Sequence, residues 1–196
     1  MEERLLELLS ARRGHFVLES GHHGNLWLDL DSLLLRPAGL LPFARDLARR
    51  LSGHGIEAAV GPLVGGAFVA EMVAAELDLR FAFAERRVGA EGVTYAIPDA
   101  FHDHLRGRTV AIVDDAINAG SATKATFAAL AALGARPVAV GALLILGETA
   151  LPFFAANNVA VESVARLANE LWEPAPHSPA PSPCRGHGPS PRRSWR

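Results

Sequence analysis

The spacing of apolar positions changes several times along this chain, and each change marks an element. Leu5, Leu6, Leu8 and Leu9 sit among charged residues at helical spacing, which predicts a short amphipathic helix over residues 1–13, ended by Gly14. Residues 15–18 and 26–30 are apolar-rich runs on either side of Ser20-Gly21-His22-His23-Gly24-Asn25, and predict two strands around a turn. Arg36-Pro37 opens a helix that runs to about Leu51, with Gly53 and Gly55 beyond its end. From there strands and helices alternate: a strand at 57–60, a glycine-rich turn at 61–67, a helix to about Glu76, and a strand at 80–84. Residues 85–92 follow, then a strand at 110–113, a helix to about Leu133, a strand at 136–146, a helix at 148–157 and a strand at 159–165. The central strands are continuous apolar runs, as strands covered on both faces require. The alternation predicts an α/β protein with a mainly parallel sheet flanked by helices.

Val110-Ala111-Ile112-Val113 is followed by Asp114 and Asp115, and then by the small residues Asn118, Ala119, Gly120, Ser121, Ala122 and Thr123, which open an alanine-rich helix. Small residues let backbone N–H groups approach an anion at a helix N-terminus, where unpaired donors and the helix dipole both favour negative charge. Adjacent carboxylates repel a phosphate. They suit sugar hydroxyls or a bound Mg²⁺ instead, and both are expected at the strand tip, outside the apolar core. The stretch therefore fits a sugar phosphate, although an acidic pair at a strand end also belongs to ordinary doubly wound folds. One unit earlier, Gly61-Pro62-Leu63-Val64-Gly65-Gly66 supplies glycines that permit close backbone approach, so main-chain amides there could hold a diphosphate.

Composition narrows the partners. A chain of 196 residues with 49% hydrophobic residues can bury one good core, here expected over residues 1–173. Residues 174–196 hold seven of the thirteen prolines and no acidic residue, and predict a Pro/Ser/Arg-rich disordered tail. A net charge of −2 gives no drive toward nucleic acid, the basic tail excepted, or toward anionic membranes. The N-terminus lacks a secretory h-region and no apolar run is long enough to span a bilayer, so a cytoplasmic protein is expected. The one cysteine, Cys184, excludes an internal disulfide and a multi-Cys zinc site. His22 and His23 read as an exposed polar turn, with no third ligand at metal spacing. Lys124 is the only lysine among the 19 basic residues, which limits the acid–base chemistry available.

The acidic pair with Gly120 resembles the phosphoribosyl pyrophosphate (PRPP) signature of type I phosphoribosyltransferases. The turn with Gly65 and Gly66 resembles their pyrophosphate loop, and Ser20-Gly21 resembles the N-terminal hairpin of orotate phosphoribosyltransferases. The resemblance spans residues 16–165, and it implies a twisted, mainly parallel sheet flanked by helices with a small N-terminal hood, and a homodimer. It implies PRPP and a nitrogenous base as substrates, with the base attacking C1 of PRPP and pyrophosphate leaving. The transition state in that family is oxocarbenium-like, so positioning and charge stabilisation carry the catalysis. Carried over residue by residue, PRPP would be bound by Gly65, Gly66, Arg86, Arg87, Asp114, Asp115, Asn118, Ala119, Gly120, Ser121, Ala122 and Thr123. Asp114, Asp115 and Arg87 would be catalytic. Asp114 and Asp115 would hold Mg²⁺, directly or through ribose and water.

The chain also departs from that pattern. Asn118 and Ala119 stand where the family has two threonines, and Glu19 stands where orotate phosphoribosyltransferases have a lysine. Arg86 and Arg87 match the basic start of the mobile loop in those enzymes, but no lysine or histidine follows before Gly92, which leaves His102 and His104 as candidate replacements. Leu146-Gly147-Glu148-Thr149 lacks the arginine that grips the orotate carboxylate. These residues imply that orotate is a poor acceptor. They keep open a second reading, a catalytically impaired PRPP-binding sensor; a third is an unrelated nucleotide-binding α/β protein.

Overall fold

The computed structural model describes residues 1–9, 11–17, 23–89 and 92–172. Glu19, the turn residues 20–22 and the 174–196 segment with Cys184 lie outside the described residues, so the expected hairpin turn and the disordered tail do too.

The N-terminal helix α1 (Glu2–Leu8) buries Leu5 and stops earlier than the apolar spacing predicts. Arg12 and Arg13 belong instead to β1 (Ala11–Val17), which pairs antiparallel with β2 (His23–Leu28). Arg12 faces Trp27 across this pair with its guanidinium 5.3 Å from the ring centre, so the strand accommodates the charge by stacking it on an aromatic face. A short helix α2 (Asp31–Leu34) precedes α3 (Pro37–Leu51), which starts on proline as a helix can and buries Leu40, Phe43, Ala44, Leu47, Ala48 and Leu51 on one face.

The βα alternation then runs through β3 (Ala58–Pro62), α4 (Gly65–Leu77) and β4 (Arg80–Gly89). Here the loop that the resemblance implies at 85–92 falls on a β-hairpin. β4 continues to Gly89 and pairs antiparallel with β5 (Gly92–Ala96), with Arg86 opposite Tyr95 and Val88 opposite Val93. After α5 (His102–Leu105) come β6 (Thr109–Ile117), α6 (Ser121–Leu133), β7 (Arg136–Leu146), α7 (Leu151–Ala156), β8 (Ala160–Leu167) and the two-residue β9 (Leu171–Trp172).

The main sheet has the order β5-β4-β3-β6-β7-β8, parallel except at β5. Alternate residues of β6 enter different cores: Ala111 and Val113 pack with α3 and α4, Val110 and Ile112 with residues of α6 and α7. Each fully buried aliphatic side chain contributes about 1.5–3 kcal/mol, which is why the buried stretch Val110–Val113 carries no polar residue. The chain leaves β3 through α4 toward one edge of the sheet and leaves β6 through α6 toward the other. The crevice beyond the carboxyl ends of β3 and β6 is therefore the topological switch point, the usual ligand position in such sheets.

A second sheet, β1-β2-β9, forms the hood. His23 lies opposite Trp172 and Gly24 opposite Leu171. Asn25 N–H donates to the Glu170 carbonyl (3.3 Å) while Glu170 N–H donates to Asn25 Oδ1 (3.2 Å), so the segment after β8 is tied to the hood by main chain and side chain together. No helix among the described residues is long and apolar enough to cross a membrane.

Candidate active site at the switch point

The turn between β3 and α4 folds back on itself. A Cβ at Gly61 would strike the carbonyl group of Gly66 and come within 2.6 Å of Ala67 N, so only glycine permits this closure. The Leu63–Val64 peptide is cis, and Leu63 N–H donates to the Ala84 carbonyl at 2.9 Å. This turn lies directly on the acidic pair. A Cβ at Gly65 would overlap Asp115 Oδ2, and one at Gly66 would sit 2.6 Å from Asp114 Oδ1 and 2.8 Å from Pro62 Cδ. The two stretches singled out separately in the sequence are thus one cluster.

The acidic pair does not end its strand. β6 continues through Ala116 and Ile117, which lie opposite Leu144 and Ile145 of β7. Asp114 is only 6% exposed, so the expectation that both carboxylates lie outside the core is wrong for this one. Its Oδ1 accepts a hydrogen bond from Asp115 N–H (3.0 Å), and Asp115 Oδ1 accepts one from Ala116 N–H (2.7 Å). Burial raises the Asp114 pKa well above the ordinary carboxylate value, and the charge of Asp115 and a side-chain hydrogen bond with it push the same way. Hydroxyl donors or a hydrated divalent cation would relieve that repulsion. Among the described residues no three His, Cys, Asp or Glu side chains are grouped to enclose a metal. Two carboxylate oxygens suit Mg²⁺ shared with a phosphorylated substrate and water, which is how that ion is commonly held.

Beyond β6, Gly120 adopts φ +74° and caps α6, where a Cβ would lie 2.9 Å from the Ala150 Cβ. Ser121 is exposed, and Ala119 and Ala122 are half-buried, so the first turn of α6 is open to an anion. Thr123 is 1% exposed, and its hydroxyl is therefore withheld from the loop surface. Lys124 runs past Gly120 and ends with its ammonium 5.7 Å from the Phe153 ring centre. Asn118 Oδ1 accepts a hydrogen bond from Asn169 Nδ2 at 3.0 Å. No spacing or motif singles out Asn169, which reaches the loop only through the topology of β7 and β8.

Arg86 and Arg87 stand apart from this cluster on the β4–β5 hairpin. Pro62 is level with Ala84, so both arginines lie past the end of β3; they are exposed, and Arg87 pairs with Glu85 at 3.6 Å. His102 is held by the Ile97 carbonyl (3.0 Å). His104 is exposed on α5, close in sequence to Gly107, whose N–H donates to Gly134 at the far end of α6 from Gly120. His23 is not an exposed turn residue: it lies in β2, half-buried, with Nδ1 2.6 Å from His15 Nε2. A surface cavity of about 530 Å³ lined by Ile56, Glu57, Asp78, Leu79 and Arg80 lies at the opposite, amino-terminal edge of the strands. There Glu57 clasps Arg108 (2.6 Å) and Thr109 N–H (3.0 Å), contacts that join the starts of β3 and β6.

No family model matches the chain. It is 30% identical over 165 residues to the orotate phosphoribosyltransferase of Pelotomaculum thermopropionicum, an overlap that covers 83% of this chain and 80% of that one. The chain belongs to the orotate phosphoribosyltransferase family. It is also 27% identical to the orotate phosphoribosyltransferase of Caldanaerobacter subterraneus over 176 residues, 88% of each chain. The crystal structure of orotate phosphoribosyltransferase from Aeropyrum pernix matches with a TM-score of 0.64 at 24% identity, covering 84% of this chain and 90% of that one. The sheet flanked by helices is thus the type I phosphoribosyltransferase fold, as the resemblance implies. Membership of the orotate phosphoribosyltransferase family removes the reading as an unrelated nucleotide-binding protein.

Proposed function

We propose that this chain is a cytoplasmic phosphoribosyltransferase that binds PRPP with Mg²⁺ and transfers the 5-phosphoribosyl group to a nitrogenous base, releasing pyrophosphate. The observation that carries this reading is the packing of Gly65 and Gly66 against Asp115 and Asp114, beside the Gly120-capped start of α6. Main-chain amides of the 65–66 turn would take the diphosphate, the two carboxylates the ribose hydroxyls, and the amides of residues 118–123 the 5-phosphate. Mg²⁺, held by Asp114 and Asp115 directly or through ribose and water, would neutralise charge on the diphosphate. A base nitrogen lone pair then forms the bond to C1 as the C1–oxygen bond to pyrophosphate breaks. Arg86 and Arg87 bear the leaving charge from the hairpin, in a homodimer in which that hairpin serves the neighbouring site.

A catalytically impaired PRPP sensor is the second reading, and one observation favours it. The only lysine, Lys124, ends over Phe153, and the hairpin offers arginines, which do not donate protons near neutral pH. Incubating the protein with PRPP, Mg²⁺ and a panel of bases and following pyrophosphate release tests both. Release with one base supports the enzyme; Mg²⁺-dependent PRPP binding without release from any base supports the sensor.

A further inference from the structure

We infer that Asn169 is a positioning residue that sets the polarity of the Asn118 carboxamide, so that Asn118 presents its amide N–H groups to the 5-phosphate of the sugar-phosphate substrate. The inference rests on the phosphate site proposed at residues 118–123.

Three observations lead to it. The first is topological. Ile117 pairs with Ile145, Ile145 with Arg166 and Leu146 with Leu167, so β6, β7 and β8 end at one level and Asn118 and Asn169 both emerge just past it. A whole strand separates them, yet their side chains meet at 3.0 Å. They meet because β7 is followed by Gly147, whose φ of +65° turns the chain aside. A Cβ there would come within 2.9 Å of the Asn169 carbonyl oxygen, and Gly147 N–H holds the Leu167 carbonyl at 2.8 Å. Position 147 is a gap in side chains that Asn169 crosses.

The second observation is chemical. A carboxamide has an acceptor end and a donor end on opposite sides of one plane. With Oδ1 of Asn118 engaged by Asn169, its Nδ2 faces away, and among the described residues that group has no hydrogen-bond partner. Nearby hydroxyls are scarce: Thr123 is buried and Ser121 is the exposed one, so the Asn118 donor adds to what the backbone amides supply.

The third is the unsatisfied end of Asn169. Its Oδ1 is buried without a hydrogen-bond partner. Rotating both amides would let Oδ1 accept from Asn118, but it would bury an unpaired N–H₂ instead and turn the Asn118 oxygen toward an anion. A bound phosphate selects the arrangement seen. The neighbouring Glu170 is fixed to Asn25 of β2, so the hood holds the Asn169 segment in place.

The test uses the full chain with ribose 5-phosphate and, separately, PRPP with Mg²⁺ as probes. Asn169→Ala should weaken ribose 5-phosphate binding by about tenfold, the cost of one charge-assisted hydrogen bond, and raise KM for PRPP with kcat nearly unchanged. On an Asn118→Ala background the same substitution should change affinity less than about twofold, because there is no amide left to orient. Gly147→Ala, which displaces the Asn169 backbone by another route, should reproduce the loss and likewise lose its effect when Asn118 is alanine. An Asn169→Ala protein that keeps wild-type affinity overturns the inference, as does a loss that persists undiminished in the Asn118→Ala background. Wild-type protein that fails to bind ribose 5-phosphate overturns the phosphate site itself, a result read before any variant is made.

Discussion

Gly65 lies so close to Asp115 that a methyl group at position 65 would overlap the carboxylate oxygen Oδ2. Neither residue can be enlarged or moved without the other, and the proposed diphosphate and ribose subsites share that boundary. Gly65→Ala should therefore lower PRPP affinity by at least about tenfold, with a loss of stability of about 1–3 kcal/mol from local overpacking. Titrating PRPP against the melting temperature reads both numbers. Wild-type affinity in this variant would mean that the two loops do not share a ligand.

The unmodified protein should be stabilised by PRPP only when Mg²⁺ is present. At a hundred times Kd the expected gain is about 2.7 kcal/mol. For a chain of this length that is a rise of roughly 5–10 °C in Tm. An unchanged Tm at millimolar PRPP with Mg²⁺ would remove the phosphoribosyl reading.

Asp114 makes stability depend on pH in a definite direction. Its folded pKa is raised by burial and by Asp115, so the folded state holds this proton more tightly than the unfolded chain does. The stabilisation is complete below the unfolded value near 4 and is lost progressively as pH climbs from there through the folded pKa. Asp114→Asn removes the buried charge and should raise Tm at pH 7 while flattening the profile above about pH 4. The same variant should lose Mg²⁺-dependent PRPP binding. Calorimetric scans across that range decide the matter; a variant less stable than wild type at pH 7 would contradict the electrostatic account.

Orotate should be a poor acceptor. The chain after β7 passes through Gly147 to the exposed Glu148, and residues 146–149 include no arginine or lysine for a carboxylated pyrimidine. Losing a bidentate charge-assisted contact costs about 2–5 kcal/mol, or roughly thirty- to several-thousandfold in kcat/KM. Steady-state kinetics with orotate check this, and a turnover near ten per second, the order typical of enzymes, would refute it.

The strands of the central sheet are legible in the sequence because a strand covered on both faces must be apolar throughout, and Val110 to Val113 leaves no other interpretation. α3 is legible for a related reason, its buried residues recurring at three- and four-residue spacing. The two loops are legible as tight turns into helices because their glycines permit close approach and positive φ. Their contact is not, since nothing in the sequence states that Gly65 will meet Asp115. Nor does it state that Gly66 will lie against Asp114, which is buried beneath the turn. Arg12 and Arg13 mislead because charges beside leucines read as a helix face, whereas their strand is specified by residues 26–28 and by Trp27. The β4–β5 hairpin did leave a signal, Val88 and Val93 flanking Gly89 and Gly92, which outweighs the polarity of its arginines. Asn169 left none, because a single asparagine after a strand acquires meaning only from the loop it faces.

The third strand of the hood comes from the far end of the chain, with Asn25 and Glu170 separated by 145 residues. During synthesis every strand of the six-stranded sheet is available before Leu171 and Trp172 emerge, while β1 and β2 wait as a two-stranded hairpin that is marginal by itself. Loop closure of that span is entropically costly and depends on the sheet having first brought the ends together. The hood can therefore close only on a sheet that has brought its two ends together, and a chain truncated before Glu170 would retain every strand of the six-stranded sheet and the acidic pair beneath an open roof.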